Sequence, residues 1–186
     1  GKIGESVDVV VRRGKNMEFP VTLVRELIEV PTVKFGMIDD KNAKIGYLRI
    51  IEFTPQTAQR VQDAIDSFKK NNFTGMIIDL RNNPGGLITS VADVADKFID
   101  SGIIVSTKSR ISEAASVYTA TPDATTMPKG IPIVVLINKG SASASEILAG
   151  ALKDYHLAYL VGERTYGKGS VQQVIPLYNA DGVKLT

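Results

Sequence analysis

A run of small residues around three serines is the part of the sequence best suited to nucleophilic chemistry. It extends from Gly140 to Glu146 and follows an apolar stretch that predicts a buried strand. In such a strand-to-helix loop, small side chains let a substrate carbonyl approach the Ser143 hydroxyl, and the next backbone N–H can stabilise the anionic tetrahedral intermediate. The same residues fit an ordinary capping box, in which Ser143 and Glu146 cap the helix. Both interpretations stay open at this point.

A serine nucleophile needs a base, and the chain offers two candidates. His156 is the one histidine, but it lies 13 residues after Ser143, near the far end of the same predicted helix, or roughly 20 Å away. Lysine is the alternative, provided that its surroundings leave the amine uncharged. Lys168 stands between two glycines, and Gln172, four residues on, shares its face in an extended chain and can hold the amine. The competing interpretation of Lys168 is a solvated loop lysine.

A second glycine-containing loop, Asn82 to Gly86, also joins a predicted strand to a predicted helix. Gly85 or Gly86 could supply a second oxyanion N–H, because a residue without Cβ lets the backbone approach a ligand. Asp79 and Arg81 next to this loop fit a structural ion pair. Asp154 is on the helix after Ser143, where it could form a capping interaction, pair with a lysine or be solvated.

Composition excludes several kinds of chemistry. Of the 186 residues, 44% are hydrophobic and 23% are charged. The net charge of +2 is too close to zero to indicate a nucleic-acid-binding surface. The absence of cysteine excludes disulfides, thiolate nucleophiles and sulfur-held metals, and one histidine leaves no imidazole cluster. We therefore expect neither a metal nor a cofactor. The longest apolar runs fall short of the ~20 residues that span a bilayer, and the start of the chain has the character of a processed or truncated end rather than of a signal peptide.

Strands alternate with helices along most of the chain, which predicts a layered α/β core. A hairpin over 7–11 and 21–24 comes first, and Pro31 with the polar segment 39–42 suggests a boundary near residues 29–44. Thr54 and Pro55 predict the start of a helix, with threonine as the cap and proline in the first turn. Further strands are predicted at 45–51, 75–80, 103–106, 131–137, 158–161, 171–177 and 183–185, the last after a turn at Asp181, with a long exposed connection at 109–130.

Three motifs in order resemble the C-terminal processing peptidases, or tail-specific proteases, a family of serine-lysine endopeptidases. They are the segments 79–86, 138–147 and 162–173. The resemblance extends over roughly residues 30 to 180 and implies a crotonase or Clp-protease-like β-β-α superhelix core. By the same resemblance, residues 1–29 form the last strands of an incomplete PDZ module and residues 30–186 form the protease core, whose C-terminal edge is expected to be truncated.

The resemblance also assigns roles within the site. It implies a nucleophile at Ser143, a general base at Lys168 and a lysine-orienting amide at Gln172. The remaining positions are an oxyanion hole from Ala144 with Gly85 or Gly86, and a supporting carboxylate at Asp154.

The activity implied is cleavage of protein substrates near their C-termini through a Ser-Lys dyad and an acyl-enzyme. The implied partners are polypeptides with accessible apolar tails, together with a homo-oligomer or an adaptor protein. The implied location is periplasmic or extracytoplasmic, including attachment to a membrane outside this segment, with a thylakoid lumen as the alternative. The main competing hypothesis is an inactive or latent peptide-binding or scaffold protein of the same fold. A crotonase-like acyl-CoA enzyme is a more distant one, since that chemistry calls for catalytic carboxylates.

Overall fold

A computed structural model describes residues 1–26, 31–110, 115–177 and 182–185. The chain divides into two compact units, Gly1–Pro31 and Thr32–Thr186. In the first unit, β1 (Ser6–Arg13) and β2 (Met17–Val24) pair antiparallel, as the sequence predicts for this hairpin. The predicted boundary between residues 29 and 30 and the predicted turn at Asp181 lie outside the described residues.

The second unit is built on a five-stranded mixed sheet. Its strands are β3 (Val33–Asp40), β4 (Ala43–Ile50), β5 (Gly75–Asp79), β8 (Ile133–Ile137) and β9 (Ala158–Gly162), side by side in that order. The β3–β4 pair is antiparallel and the other pairs are parallel. The predicted α/β class is therefore confirmed as a mixed α/β fold.

Three helices cover one face of this sheet: α1 (Thr57–Lys70), α2 (Ile88–Ala95) and α3 (Ala144–Asp154). Alternate strand residues such as Leu48, Ile78 and Val135 point toward the helices and are fully buried with them in one core. This period of two is the pattern expected when one face of a strand is buried. Burial of this face fixes the register of each strand, and with it the positions of the loops at the strand ends.

The remaining strands form small antiparallel pairs outside the main sheet. These are β6 (Ile103–Ser106) with β7 (Val117–Thr119), and β10 (Gln173–Pro176) with β11 (Gly182–Leu185). A short 3-10 helix covers Pro122–Ala124. None of the helices in the described residues combines the length and the apolar character of a membrane-spanning segment.

One predicted boundary is wrong, and one strand was not predicted. The division of the chain after Pro31 lies within the predicted boundary region near residues 29–44. The unpredicted strand is β3, which pairs with β4 along its whole length before the chain reverses at Lys41 and Asn42. Helix α1 begins at Thr57 rather than near Thr54, and its N-cap is Gln56. The Thr57 hydroxyl donates to the Glu52 carbonyl at 3.0 Å and accepts the Thr54 N–H at 2.9 Å, so it closes the turn that Thr54 was expected to cap.

Candidate active site

The loop after β8 turns sharply into α3 and carries Ser143 at its tip. Ser143 has φ 54° and ψ −117°, a left-handed conformation that is uncommon for a residue other than glycine. Holding a side chain in such a region costs about 1–3 kcal/mol and occurs most often at functional sites. The strained turn places Ser143, half-buried, at the N-terminus of α3, where free N–H groups favour negative charge.

The two serines beside Ser143 serve as anchors. The Ser141 hydroxyl donates to the Leu80 carbonyl at 2.8 Å, and the Ser145 hydroxyl donates to the Asn83 carbonyl at 3.0 Å. Both side chains are fully buried. They tie the loop after β8 to the loop after β5, which leaves Ser143 as the serine of the three that keeps part of its surface exposed.

The loop after β5 packs directly against the Ser143 turn. Asn83 is fully buried there, and its amide donates to the Ile50 carbonyl at 2.9 Å. A Cβ added to Gly85 would lie 2.8 Å from Ser143 Cβ and 3.0 Å from Ala144 N, and Gly85 has φ 108°. Only glycine fits this contact, so the two predicted parts of an oxyanion hole lie side by side.

The hydrogen bonds distinguish between the two glycines as donors. The Gly85 N–H is taken by the Asn83 side-chain oxygen at 2.9 Å. Gly86 lies opposite Phe53 in an isolated β-bridge. In this bridge the Phe53 N–H donates to the Gly85 carbonyl and the Leu87 N–H donates to the Phe53 carbonyl, so the Gly86 N–H takes no part. Among the hydrogen bonds of the described residues, none uses the N–H of Gly86 or of Ala144. These two N–H groups are therefore the ones available to a substrate oxygen.

Glu146 connects the Ser143 turn to the segment that carries Lys168. Its carboxylate accepts the Ser143 N–H at 2.8 Å, the Gly167 N–H at 2.7 Å and the Lys168 N–H at 2.9 Å. The Ser143 and Lys168 bonds share one oxygen, Oε2, so the two backbone nitrogens are separated by at most about 5.7 Å, the sum of 2.8 and 2.9 Å. A further bond, from the Tyr166 N–H to the Ser141 carbonyl at 3.0 Å, holds the same segment.

The electrostatics of Glu146 suit this role. Burial raises its pKa, but hydrogen bonds from the Thr165 side chain and from the N–H groups of Gly167, Lys168 and Ser143 outweigh burial and hold the pKa below its usual value. Glu146 is thus an anion at neutral pH, which strengthens each bond it accepts. Of the predicted capping box, the bond from the Ser143 N–H to the Glu146 carboxylate is present, whereas the Glu146 N–H donates to the Ser143 backbone carbonyl. The bonds from Gly167 and Lys168 to the same carboxylate were not predicted.

Lys168 and Gln172 lie together, as predicted. The Lys168 amine donates to the Gln172 side-chain oxygen at 3.4 Å, a long hydrogen bond, and the Lys168 side chain is half-buried. Among the hydrogen bonds of the described residues, none joins the Lys168 amine to the Ser143 hydroxyl.

Two other predicted residues lie away from this cluster. Asp154 is exposed and is the last residue of α3, 11 residues after Ser143, so the rise of the helix separates the two by roughly 16 Å. His156 follows α3 and is also exposed, which agrees with its exclusion as a base. Within the described part of the chain, no three His, Asp and Glu side chains lie close enough to hold a metal ion.

The ion pair predicted beside the Asn82–Gly86 loop is confirmed. Arg81 donates to both oxygens of Asp79, at 2.9 and 2.7 Å, and the Tyr47 hydroxyl donates to Asp79 at 2.7 Å. Burial raises the pKa of Asp79, but the bonds from Arg81 and Tyr47 dominate and lower it to about 2. The pair fixes the carboxyl end of β5, from which the loop departs.

Comparison with known proteins gives a consistent result. Residues 44–186 match Peptidase family S41. The chain is 40% identical over its whole length to the carboxy-terminal-processing protease of Bartonella bacilliformis, of which it covers 43%, and 35% identical to the chloroplastic carboxyl-terminal-processing peptidase 2 of Arabidopsis thaliana, of which it covers 36%.

Solved structures agree with the sequence relatives. The photosystem II D1 C-terminal processing protease superposes on the whole chain with a TM-score of 0.71 and 31% identity, and half of that protein is covered. The chain thus spans about two-fifths of the length of the curated relatives and half of this solved one.

Proposed function

The chain belongs to peptidase family S41, and from that premise we propose that it forms the catalytic core of a serine endopeptidase that cleaves polypeptides near their C-termini. The single observation that carries the proposal is the shared Glu146 oxygen, which holds the backbones of Ser143 and Lys168 at most about 5.7 Å apart. A lysine side chain is long enough to bridge that separation. The two residues come from motifs 25 positions apart in the sequence.

In the proposed reaction, the neutral amine of Lys168 removes the proton of the Ser143 hydroxyl as its oxygen attacks the carbonyl carbon of the scissile peptide. The carbonyl oxygen becomes an anion and accepts hydrogen bonds from the N–H groups of Ala144 and Gly86. Protonated Lys168 then gives its proton to the departing amine, the C–N bond breaks, and an ester with Ser143 remains. Lys168 next deprotonates a water molecule that attacks the ester, and it gives that proton to the Ser143 oxygen as the ester bond breaks and the acid product leaves.

The other residues prepare these steps. Gln172 receives a hydrogen bond from the Lys168 amine and limits the positions that the amine can occupy. Proton transfer requires the amine within about 3 Å of the Ser143 hydroxyl, so we expect the Lys168 amine to approach Ser143 when a peptide binds. The negative charge of Glu146 lies at the backbone of both residues and stays outside the proton transfers. A supporting role for Asp154 remains a prediction.

The names of the relatives support the substrate class and the location that we propose. They include a chloroplastic peptidase and a protease that processes the C-terminus of the photosystem II D1 protein. We propose polypeptide substrates with apolar tails and a lumenal or extracytoplasmic location. We also propose that the core has the crotonase-like superhelix of the family and that the β1–β2 hairpin belongs to a PDZ module. Oligomerisation and an adaptor remain predictions.

The inactive scaffold predicted as an alternative gains no support, since the relatives are named as proteases. The acyl-CoA alternative would need a free carboxylate beside the substrate, and Glu146 does not supply one, because its oxygens are occupied by backbone N–H groups.

The test compares cleavage by the full-length protein and by its Lys168→Ala variant on an unstructured peptide that ends in apolar residues. We expect loss of turnover by at least about a hundredfold, because general-base catalysis is removed, with thermal unfolding unchanged. The matched control is Lys153→Ala, which removes an exposed lysine of α3. Cleavage by the Lys168 variant at near the parental rate would refute the proposal.

A further inference from the structure

The face of the main sheet that carries no helices has an unbalanced positive charge at one edge. Lys34, Arg49, Asp79 and Leu136 are aligned across β3, β4, β5 and β8. Residues aligned in this way project from the same face of a sheet. The row lies at the carboxyl ends of β4, β5 and β8, the edge from which the active-site loops depart.

Arg49 is the unusual member of this row. Its Nε atom is sealed from solvent and has no hydrogen-bond partner, although the residue as a whole is half-buried. Among the ion pairs of the described residues, none includes Arg49. A buried donor of a charged group that lacks a partner is costly, so a partner for this guanidinium is expected.

The neighbouring acid does not supply that partner. Asp79 is directly opposite Arg49 in the register, but both of its oxygens are occupied by Arg81, and one of them also accepts the Tyr47 hydroxyl. Burial and the adjacent Asp79 raise the pKa of Tyr47, so this phenol stays neutral and adds no negative charge. Lys34, on the other side of Arg49, is a second cation. The cluster therefore has two more positive than negative charges.

Arg49 also lies close to the proposed active site. The next residue, Ile50, accepts the Asn83 amide at 2.9 Å with its carbonyl oxygen. Asn83 in turn holds the Gly85 N–H at 2.9 Å, and Gly85 packs against Ser143. A ligand on Arg49 would thus lie beside the loop that supports the oxyanion hole, on the face of the sheet opposite the helices.

We propose that the Arg49 guanidinium, with Lys34 beside it, is a binding site for a carboxylate of the polypeptide substrate. A planar guanidinium matches a carboxylate through paired N–H donors, and partial burial strengthens the interaction. The carboxylate is either the α-carboxylate that ends the tail or an Asp or Glu side chain near the cleaved bond. The inference rests on the proposed peptidase function and adds to it a charge preference close to the scissile peptide.

The experiment measures kcat/KM of the full-length protein on three peptides of the same sequence that contain one glutamate: the free acid, the C-terminal amide, and the free acid with that glutamate changed to glutamine. Arg49→Gln removes the charge, and Arg49→Lys keeps a positive charge without the paired donors. Lys70→Gln, which removes an exposed lysine at the end of α1, is the charge-matched control.

We expect one of the two neutralised peptides to be cleaved with roughly tenfold lower kcat/KM than the parent peptide, which identifies the source of the carboxylate. Arg49→Gln should abolish this discrimination, Arg49→Lys should keep part of it, and Lys70→Gln should keep all of it. If Arg49→Gln leaves the ratio of kcat/KM between the parent and the neutralised peptide unchanged, the proposal is overturned. So would loss of stability in Arg49→Gln with an unchanged ratio, since that result assigns Arg49 to a partner within the protein.

A binding measurement separates this inference from the proposed function. Fluorescence anisotropy with the Ser143→Ala protein and a labelled free-acid peptide reports binding without cleavage. Binding that Arg49→Gln weakens roughly tenfold supports the site even if the parental protein cleaves nothing. Equal binding by the Ser143→Ala protein and by the Ser143→Ala protein that also carries Arg49→Gln overturns the site even if the parental protein cleaves the peptide.

Discussion

Replacing Glu146 by glutamine should inactivate the protein while leaving both proposed catalytic side chains in place. The carboxylate holds Ser143 through one N–H, and it holds Gly167 and Lys168 through two more. A glutamine has one acceptor oxygen and an NH₂ group, so it must face at least one of these N–H donors with a donor of its own. Either the Gly167 bond or the pair of bonds at Oε2 is lost.

The size of the effect follows from these bonds. A hydrogen bond to a charged group contributes about 1.5–3 kcal/mol, so loss of the bond to Gly167 or to Lys168 weakens the attachment of the lysine segment to the Ser143 turn by that amount. The fraction of molecules with the Lys168 segment in place then falls by up to roughly 10- to 150-fold. Because Glu146 acts on backbone positions and not on substrate, kcat should fall by this factor while KM changes little.

The assay measures kcat and KM for the parental protein, for Glu146→Gln and for Glu163→Gln. Glu163 is an exposed glutamate of the same connecting segment, so its variant controls for the loss of one negative charge and should retain the parental kcat. Urea unfolding checks that Glu146→Gln remains folded. A folded Glu146→Gln protein with the parental kcat would refute the positioning role. A rise in KM with an unchanged kcat would place Glu146 in substrate binding instead.

Three further predictions concern the supports of the site. Ser145→Ala removes the buried hydroxyl bond to the Asn83 carbonyl, and we expect the free energy of unfolding to fall by about 1 kcal/mol in urea titration, with cleavage retained; unchanged stability would contradict the anchoring role. Gly85→Ala should lower kcat on a peptide substrate at least about a hundredfold, because the new Cβ would lie 2.8 Å from Ser143 Cβ and the φ of this residue strains alanine by about 1–3 kcal/mol. A Gly85→Ala protein with the parental kcat would contradict this prediction. Asp79, with a pKa lowered from 3.8 to about 2, should contribute about 2 kcal/mol of stability that is present above pH 4 and is lost as the pH falls toward 2. In urea titration, the free energies of unfolding of the parental protein and of Asp79→Asn should therefore converge between about pH 4 and pH 2, and a constant difference would contradict the ion pair.

Local patterns predicted much of the fold. The strand, small-residue loop and helix around Ser143 were predictable because a buried apolar run and the spacing of Ile147, Leu148, Ala151 and Leu152 are strong local signals. The edge strand β3 was missed because it is exposed along most of its length, so burial imposes no clear alternation on its residues. The start of α1 was misplaced because the Thr57 hydroxyl forms its bond within a turn that the sequence alone does not reveal.

The candidate site was predictable to a different extent. Residue type and neighbours made Ser143 and Lys168 candidates, and the resemblance of three motifs to a peptidase family assigned their roles. The bonds of Glu146 could not be predicted, because it binds backbone N–H groups of residues 21 and 22 positions away, and every residue type except proline offers such a group. The unpaired donor of Arg49 is likewise visible only once strand register shows that Asp79 is already occupied.

A fluorophosphonate probe reports most directly whether Lys168 activates the Ser143 hydroxyl as proposed, through the rate at which Ser143 is modified, followed by mass spectrometry of the modified peptide. We expect one adduct, on Ser143, formed at a rate that falls at least about a hundredfold in Lys168→Ala. An adduct on another residue, or an equal rate of Ser143 labelling in Lys168→Ala, would show that Lys168 does not activate Ser143.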